Sequence, residues 1–480
     1  MASLKKSFIN GTTWIIGGQL FSMFISLVSN ILLARMLSPK EFGQVGILMF
    51  FVLLSNVFIE GGLAGAIVRK KNATSDDYST VFVFNLIISI ATYAMLYIFS
   101  DNISIYYQDP ELKSLIRVIA ITVIINAFQI TQNARQLSEL KFKEKSIYNL
   151  LSIFIGSIVG LVAAYFNCGV WSLVYMQLVI SVTMSVLYAI FDKTIFRLYF
   201  SRSSFKEMYS FGINTSLSSI ISTIFDNIYS LILGKYFSIN QVGYYYQAKK
   251  IQIIQGNLVK MVANNTVFSV LAKFQDDVPE FFRVYNKIVS FFVVLLGLIS
   301  TLIYLYSDQL ILALFGTKWI VSSFYLQLLT LSAFFIYIQL INRSIYKIFN
   351  FTRELLYLEF FQKVIQIFGI LIGLYFLDLK IILVSLVLSN AIGYFFSAFY
   401  VRKKIVYKNF FEVRIIVYVS VLSALIIALY KTFLVNICVN LYMQLAFLPL
   451  IILVYFIALK KTNSFHLIDE IKAIAVHFRK

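Results

Sequence analysis

Ile31-Leu32-Leu33-Ala34-Arg35-Met36-Leu37-Ser38-Pro39-Lys40-Glu41-Phe42-Gly43 recurs 200 positions later. There it reads Leu231-Ile232-Leu233-Gly234-Lys235-Tyr236-Phe237-Ser238-Ile239-Asn240-Gln241-Val242-Gly243. Leu, Ser and Gly match identically, and Lys235 stands for Arg35. A second echo sets Ser100-Asp101-Asn102-Ile103 against Ser307-Asp308-Gln309-Leu310, where the third apolar run of each half ends. Two echoes at nearly one offset, at equivalent places, point to a duplicated unit.

Outward from these junctions the chain is apolar. Of 480 residues 60% are hydrophobic and 13% charged, against about 45–50% and about 25% in an ordinary soluble domain. Lipid must cover much of that surface. Fourteen apolar segments stand out: 14–37, 43–68, 80–99, 114–132, 147–166, 170–191, 211–234, 242–271, 286–306, 320–341, 357–377, 380–400, 414–434 and 441–459. A span needs about 20 apolar residues, and a helix satisfies every backbone group within one segment. Barrel strands would be shorter and alternate in polarity. The expected fold is therefore an all-α polytopic membrane protein of about fourteen transmembrane helices. Six helices separate the two junctions, so both halves insert the same way round and the repeat is parallel. Residues 1–200 form an N-lobe of helices 1–6. Residues 201–406 form a C-lobe of helices 7–12, and 407–480 add helices 13–14 and a tail.

The net charge of +19, from 41 Lys and Arg against 22 Asp and Glu, would suggest nucleic acid in a soluble protein. Here the basic residues gather on alternate loops. They are Arg69-Lys70-Lys71, Lys141 to Lys145, Lys193 to Lys206, Lys273 to Lys287, Arg343 to Arg353, Arg402-Lys403-Lys404 and the tail from Lys460. The positive-inside rule makes those loops cytoplasmic, with both termini on the same side. The run after Lys5 and Lys6 is too long for a cleavable signal peptide and reads as a retained first helix. Cys168 and Cys438 carry no metal spacing and read as packing residues. The tail places Leu467, Ile471, Ile474 and Phe478 at helical spacing beside Lys472, Arg479 and Lys480. It reads either as a helix on an anionic membrane surface or as a frayed end.

Polar groups within the spans should face an interior or a wet cavity. Helix 7 has a stripe at Thr215, Ser219, Ser222, Asp226 and Ser230; the same face of helix 1 holds Gln19, Ser22, Ser26 and Asn30. Helix 8 carries Lys249, Lys250, Gln252, Gly256 and Lys260, and helix 2 carries Asn56 and Glu60, with Glu60 and Lys260 at repeat-equivalent positions. Helices 1, 2, 7 and 8 are expected to line a hydrated cavity. Glu60 and Lys260 read either as a structural ion pair or as substrate contacts. Tyr244, Tyr245 and Tyr246 read either as an interfacial belt or as an aromatic platform for a ligand.

Four stretches carry a family likeness: Leu33 to Gly43, Gly169-Val170-Trp171-Ser172-Leu173-Val174, Asp226-Asn227 followed by Gly243-Tyr244-Tyr245 and Ala248, and Phe315-Gly316-Thr317-Lys318-Trp319. On these the chain resembles the Wzx-type oligosaccharide flippases, the polysaccharide transporters of the multidrug/oligosaccharidyl-lipid/polysaccharide exporter superfamily. Ile239-Asn240-Gln241 departs from the pattern of the first copy. The resemblance implies a V-shaped bundle of two six-helix lobes. It implies alternating access that flips an undecaprenyl-pyrophosphate-linked oligosaccharide to the outer leaflet of a bacterial cytoplasmic (inner) membrane, for export of O-antigen, capsule or another surface polysaccharide. Arg35, Lys249, Lys250 and Lys260 then suit the pyrophosphate, and Gln19, Asn30, Asn56, Ser222 and Gln252 the sugar hydroxyls. Glu60 and Asp226 suit a coupling H⁺ or Na⁺. No cofactor or metal is expected, and no nucleic acid. The partners are the polyprenyl-linked oligosaccharide, membrane lipids, a polysaccharide polymerase and a chain-length regulator.

Two other classes compete. A drug/cation antiporter of the same superfamily would favour acidic residues in the cavity, but the basic groups are at least as prominent here. A membrane glycosyltransferase or polymerase would carry a sizeable loop or a clustered charged motif. The loops are short, no phosphate loop is present, and both histidines, His466 and His477, lie in the tail. The chain is expected not to be an enzyme.

Overall fold

The computed structural model describes residues 2–70, 72–192, 197–262, 267–405, 407, 409–434 and 447–461. Among these residues there is no strand. The tail residues from 462 on, with both histidines, and Cys438 lie outside the described residues.

The first half contains α1 (Ala2–Met36), α2 (Pro39–Glu60), α3 (Leu63–Arg69), α4 (Ser75–Tyr107), α5 (Glu111–Ile119), α6 (Ile121–Ser138), α7 (Phe142–Tyr165) and α8 (Trp171–Phe191). The second contains α9 (Arg202–Tyr236), α10 (Ile239–Val262), α11 (Phe268–Leu271), α12 (Val278–Leu305), α13 (Ser307–Phe315), α14 (Ser322–Ile348), α15 (Thr352–Tyr375) and α16 (Leu379–Ile405). After them come α17 (Phe411–Leu429) and α18 (Leu448–Lys461). Twelve spans among the described residues are long and apolar enough to cross a membrane. Two of the fourteen expected spans fall short. The 24 residues of α10 include Lys249, Lys250 and Lys260, and α18 is described over 14 residues only.

The junctions quoted above are helix starts. Ser38 caps α2: its N–H donates to Glu41 Oε2 at 2.5 Å, and its Oγ accepts from the Glu41 N–H at 3.4 Å. Such a reciprocal box satisfies two orphan donors at once. Ser238 keeps half of the device, accepting from the Gln241 N–H at 3.3 Å. The apolar run 43–68, expected as one helix, is broken instead. Gly61 and Gly62 take φ +50° and +67°, a region that glycine enters without a Cβ penalty, and the chain restarts as α3.

The duplication is also written in the helix ends. Leu140 and Asn350, and likewise Asn167 and Leu377, all take positive φ, between 49° and 58°. Each pair is 210 residues apart. In each case the following N–H reaches back to close a Schellman cap: Lys141 to Gln136 O, Phe351 to Tyr346 O, Cys168 to Ala163 O and Asp378 to Gly373 O. The second echo also survives as chemistry. Ser100 Oγ donates to Tyr97 O and accepts from Arg117 Nε at 2.9 Å; Ser307 Oγ donates to Tyr304 O and accepts from Gln327 Nε2 at 2.7 Å. The expectation that a helix ends at both places needs correction. α4 runs through Ser100 to Tyr107, whereas α12 stops at Leu305 and α13 restarts.

Two compact units divide the chain at residues 246 and 247. In the first, α9 runs along α2, α3 and α4. Lys70 Nζ bridges Asp77 Oδ2 and Glu207 Oε2, both at 2.9 Å. These carboxylates, Asp77 foremost, hold its ammonium above the usual lysine range. The two junction motifs meet directly: a Cβ on Gly43 would collide with the Ile239 carbonyl, and one on Gly243 with the Pro39 carbonyl. In the second unit a single apolar core joins α12, α14, α16, α17 and α18. Tyr455 on α18 donates to Val294 O of α12 at 3.1 Å, and Thr301 on α12 donates to Ser423 Oγ of α17 at 2.8 Å.

Candidate functional site

Four helices of the first unit each turn one polar stripe towards a common cavity of about 300 Å³. α2 contributes Asn56 and Glu60; α6 contributes Asn126, Gln129 and Asn133; α7 contributes Asn149 and Ser152; α8 contributes Gln177, Ser181 and Tyr188. The spacings are three, four or seven residues, which keep a stripe on one helix face. Ile130, Ile180 and Met184 complete the wall. No Lys or Arg is among the lining residues.

The amides are ordered by one another. Gln129 Nε2 donates to Asn126 Oδ1 at 2.6 Å, and Asn126 Nδ2 donates to Asn56 Oδ1 at 3.1 Å. Asn149 Nδ2 donates to Ser22 Oγ on α1 at 3.1 Å. Tyr188 stands edge-on to Tyr148, with ring centroids 5.3 Å apart. It is fully buried, and its hydroxyl finds no partner; nor does Asn133 Oδ1. Buried polar atoms are normally paired, so these two mark where the wall is unsatisfied.

The structure gathers two of the residues expected from the sequence, Asn56 and Glu60, in this cavity. The others lie elsewhere. On α1, Gln19 and Arg35 are exposed and Asn30 is buried. On α9, Ser222 and Asp226 are exposed, one turn apart on one face. On α10, Lys249 and Lys250 are half-buried and Lys260 is exposed. Gln252 is buried and donates to Leu329 O at 3.1 Å, while its own carbonyl accepts from Tyr337 Oη at 3.0 Å, so it ties α10 to α14. Tyr245 is buried against Tyr229, and Tyr244 and Tyr246 are half-buried.

Of the four helices that the sequence singles out, only α2 lines the cavity. α6, α7 and α8 were passed over, although Asn126, Gln129 and Asn133 form a readable stripe in an otherwise apolar span. Among the described residues, no group of three or more His, Cys, Asp or Glu side chains comes together to hold a metal ion.

A family model described as "Polysaccharide biosynthesis protein" matches residues 32–324. The lipopolysaccharide biosynthesis protein WzxC of Escherichia coli (strain K12) is 23% identical over 324 residues, which cover 66% of this chain and 65% of WzxC. The match thus spans just under two thirds of that relative's length. Among solved structures, the lipid II flippase MurJ in an inward closed conformation superposes with a TM-score of 0.74 at 17% identity, over 92% of this chain and 97% of MurJ. An inward-facing multidrug resistance MATE family transporter of the MOP superfamily gives 0.65 at 17% identity, over 80% and 94%. Both likenesses concern the fold.

Proposed function

The chain belongs to the polysaccharide biosynthesis protein family, and on that premise we propose that this multi-pass membrane protein is a flippase. Its substrate is a polyprenyl-pyrophosphate-linked oligosaccharide, carried from the cytoplasmic to the outer leaflet of a bacterial cytoplasmic membrane by alternating access. Both termini are cytoplasmic, in keeping with the basic loops. The observation that carries the reading is the amide-lined cavity inside an apolar helical unit. A polyprenyl tail travels in lipid at no cost, whereas its sugar head needs a polar route, because hydroxyls without hydrogen bonds are expensive in an apolar medium.

The pyrophosphate requires cations. Arg35, Lys249, Lys250 and Lys260 supply them in this reading; lysine is a point charge rather than a bidentate clamp, which suits a group that has to be released. Gln19, Asn30, Asn56 and Ser222 serve sugar hydroxyls, and Glu60 and Asp226 serve a coupling H⁺ or Na⁺. A polymerase and a chain-length regulator would act on the product. Drug/cation antiport draws on the shared fold and on two acidic residues, Glu60 and Asp226.

The test is a deletion strain. Undecaprenyl-linked oligosaccharide accumulates on the cytoplasmic face and surface polysaccharide is lost; the plasmid-borne gene restores both. Lys260→Ala and Asp226→Ala each reduce export by about tenfold, the protein remaining inserted. Normal surface polysaccharide in the deletion strain overturns the proposal.

A further inference from the structure

Resting on that reading, we propose that the cavity between α2, α6, α7 and α8 is a subsite for one uncharged sugar ring of the headgroup, apart from the cations that meet the pyrophosphate. Three observations converge on this.

The first is chemistry. The wall offers neutral amides and hydroxyls, with one carboxylate, Glu60, and no Lys or Arg. An anion gains no counter-charge there. A pyranose presents hydroxyls that both donate and accept, and side-chain amides match them with a donor and an acceptor each. The second is size. About 300 Å³ is the lower end of small-molecule pockets, which run roughly 300–1,000 Å³. That admits one ring and not a whole repeat unit.

The third is an internal control. The caps at Leu140 and Asn350, and at Asn167 and Leu377, fix a register of 210 residues between α6–α7 and α14–α15. Asn133 then corresponds to Arg343, Asn149 to Glu359, Gln129 to Gln339 and Ser152 to Gln362. In the second unit these side chains satisfy one another. Arg343 Nη1 lies 3.2 Å from Glu359 Oε1. Gln339 Nε2 donates to Gln362 Oε1 at 3.1 Å, and Gln362 Nε2 donates to Asn390 Oδ1 at 2.6 Å. At the same place in the fold the second unit carries an ion pair and a chain of bonded amides. The first unit carries the cavity, with Tyr188 Oη and Asn133 Oδ1 unpaired on its wall.

The experiment uses the full chain in nanodiscs, with methyl glycosides of the host's surface-polysaccharide sugars and inorganic pyrophosphate as separate probes. Asn133→Arg/Asn149→Glu imports the ion pair of the second unit into the cavity; Gln177→Leu is the milder variant, removing one amide. Saturation-transfer NMR should show at least one glycoside bound. Its affinity should fall at least tenfold in the double variant and about threefold in Gln177→Leu, with pyrophosphate binding unchanged in both. Export of the native substrate should fall at least tenfold in the double variant.

No glycoside binding to the wild-type chain overturns the subsite, as does glycoside binding retained by both variants. Glycoside binding untouched in both variants, with only the Na⁺ or pH dependence of export shifted, leaves the cavity to the coupling ion at Glu60 and also overturns the subsite. If the glycoside binds and both variants weaken it, while the deletion strain still exports normally, the subsite stands and the flippase reading falls.

Discussion

Arg402 and Glu412 show what one residue can hold in this fold. Their side chains are almost completely buried and form an ion pair. Arg402 Nε also donates to Asn409 O at 3.0 Å, so the pair closes the turn between α16 and α17. Arg402 Nη2 and Glu412 Oε2 have no partner. The pair is thus incompletely satisfied, and burial of charge is repaid only where every lone pair and proton is met. Removing one member strands the other: Arg402→Ala or Glu412→Ala should destabilise by about 3–5 kcal/mol. The double substitution Arg402→Met/Glu412→Leu should recover most of that loss. Thermal unfolding of the purified protein in detergent measures both, and a double variant less stable than either single one contradicts the argument. At the same scale, Gln252 shows why a polar residue in a span is ambiguous. Its sequence context fits a cavity wall, and the structure commits its amide N–H to a neighbouring helix backbone.

At the scale of elements, the crossing of α2 and α10 is set by backbone. Gly43 and Gly243 each face a carbonyl of the other helix, and a carbonyl cannot rotate aside as a side chain can. Gly43→Val and Gly243→Val should therefore each lower the melting temperature, overpacking costing about 1–3 kcal/mol or more. Gly17→Ala on α1 is the control: beyond its chain neighbours and its own helix backbone, nothing lies within 4 Å of the added methyl, and alanine gains about 1 kcal/mol over glycine inside a helix. Equal melting of all three variants would mean that the crossing is looser than described. The same elements mark how far the sequence could be read. The helices, their class and the repeat were legible because apolar runs of span length are unambiguous in lipid and because the motif carries its caps with it. The break at Gly61-Gly62 was overlooked because Leu63 to Val68 continue the apolar run, so hydropathy hides a change of backbone direction. The cavity was overlooked for a different reason. Residues that echo between the halves stand out in a duplicated sequence, and at the cavity the halves differ: Asn133 answers to Arg343 and Asn149 to Glu359. Where a duplicated fold has diverged, symmetry points away from such a cavity.

For the whole molecule, orientation is the testable quantity. A reporter fused after residue 480 should be cytoplasmic, as should one inserted at Lys141, and one inserted at Lys113 should be external. An external C-terminus would make the number of spans odd and break the alternation of basic loops. The net charge of +19 is then mostly a record of which way each loop faces. The meeting of Gly43 with the Ile239 carbonyl, and of Gly243 with the Pro39 carbonyl, is one surface used twice, as in a two-fold homodimer. Neither glycine is therefore free to drift independently: a side chain gained in one copy of the motif has to be accommodated by the main chain of the other, which has nothing to give up.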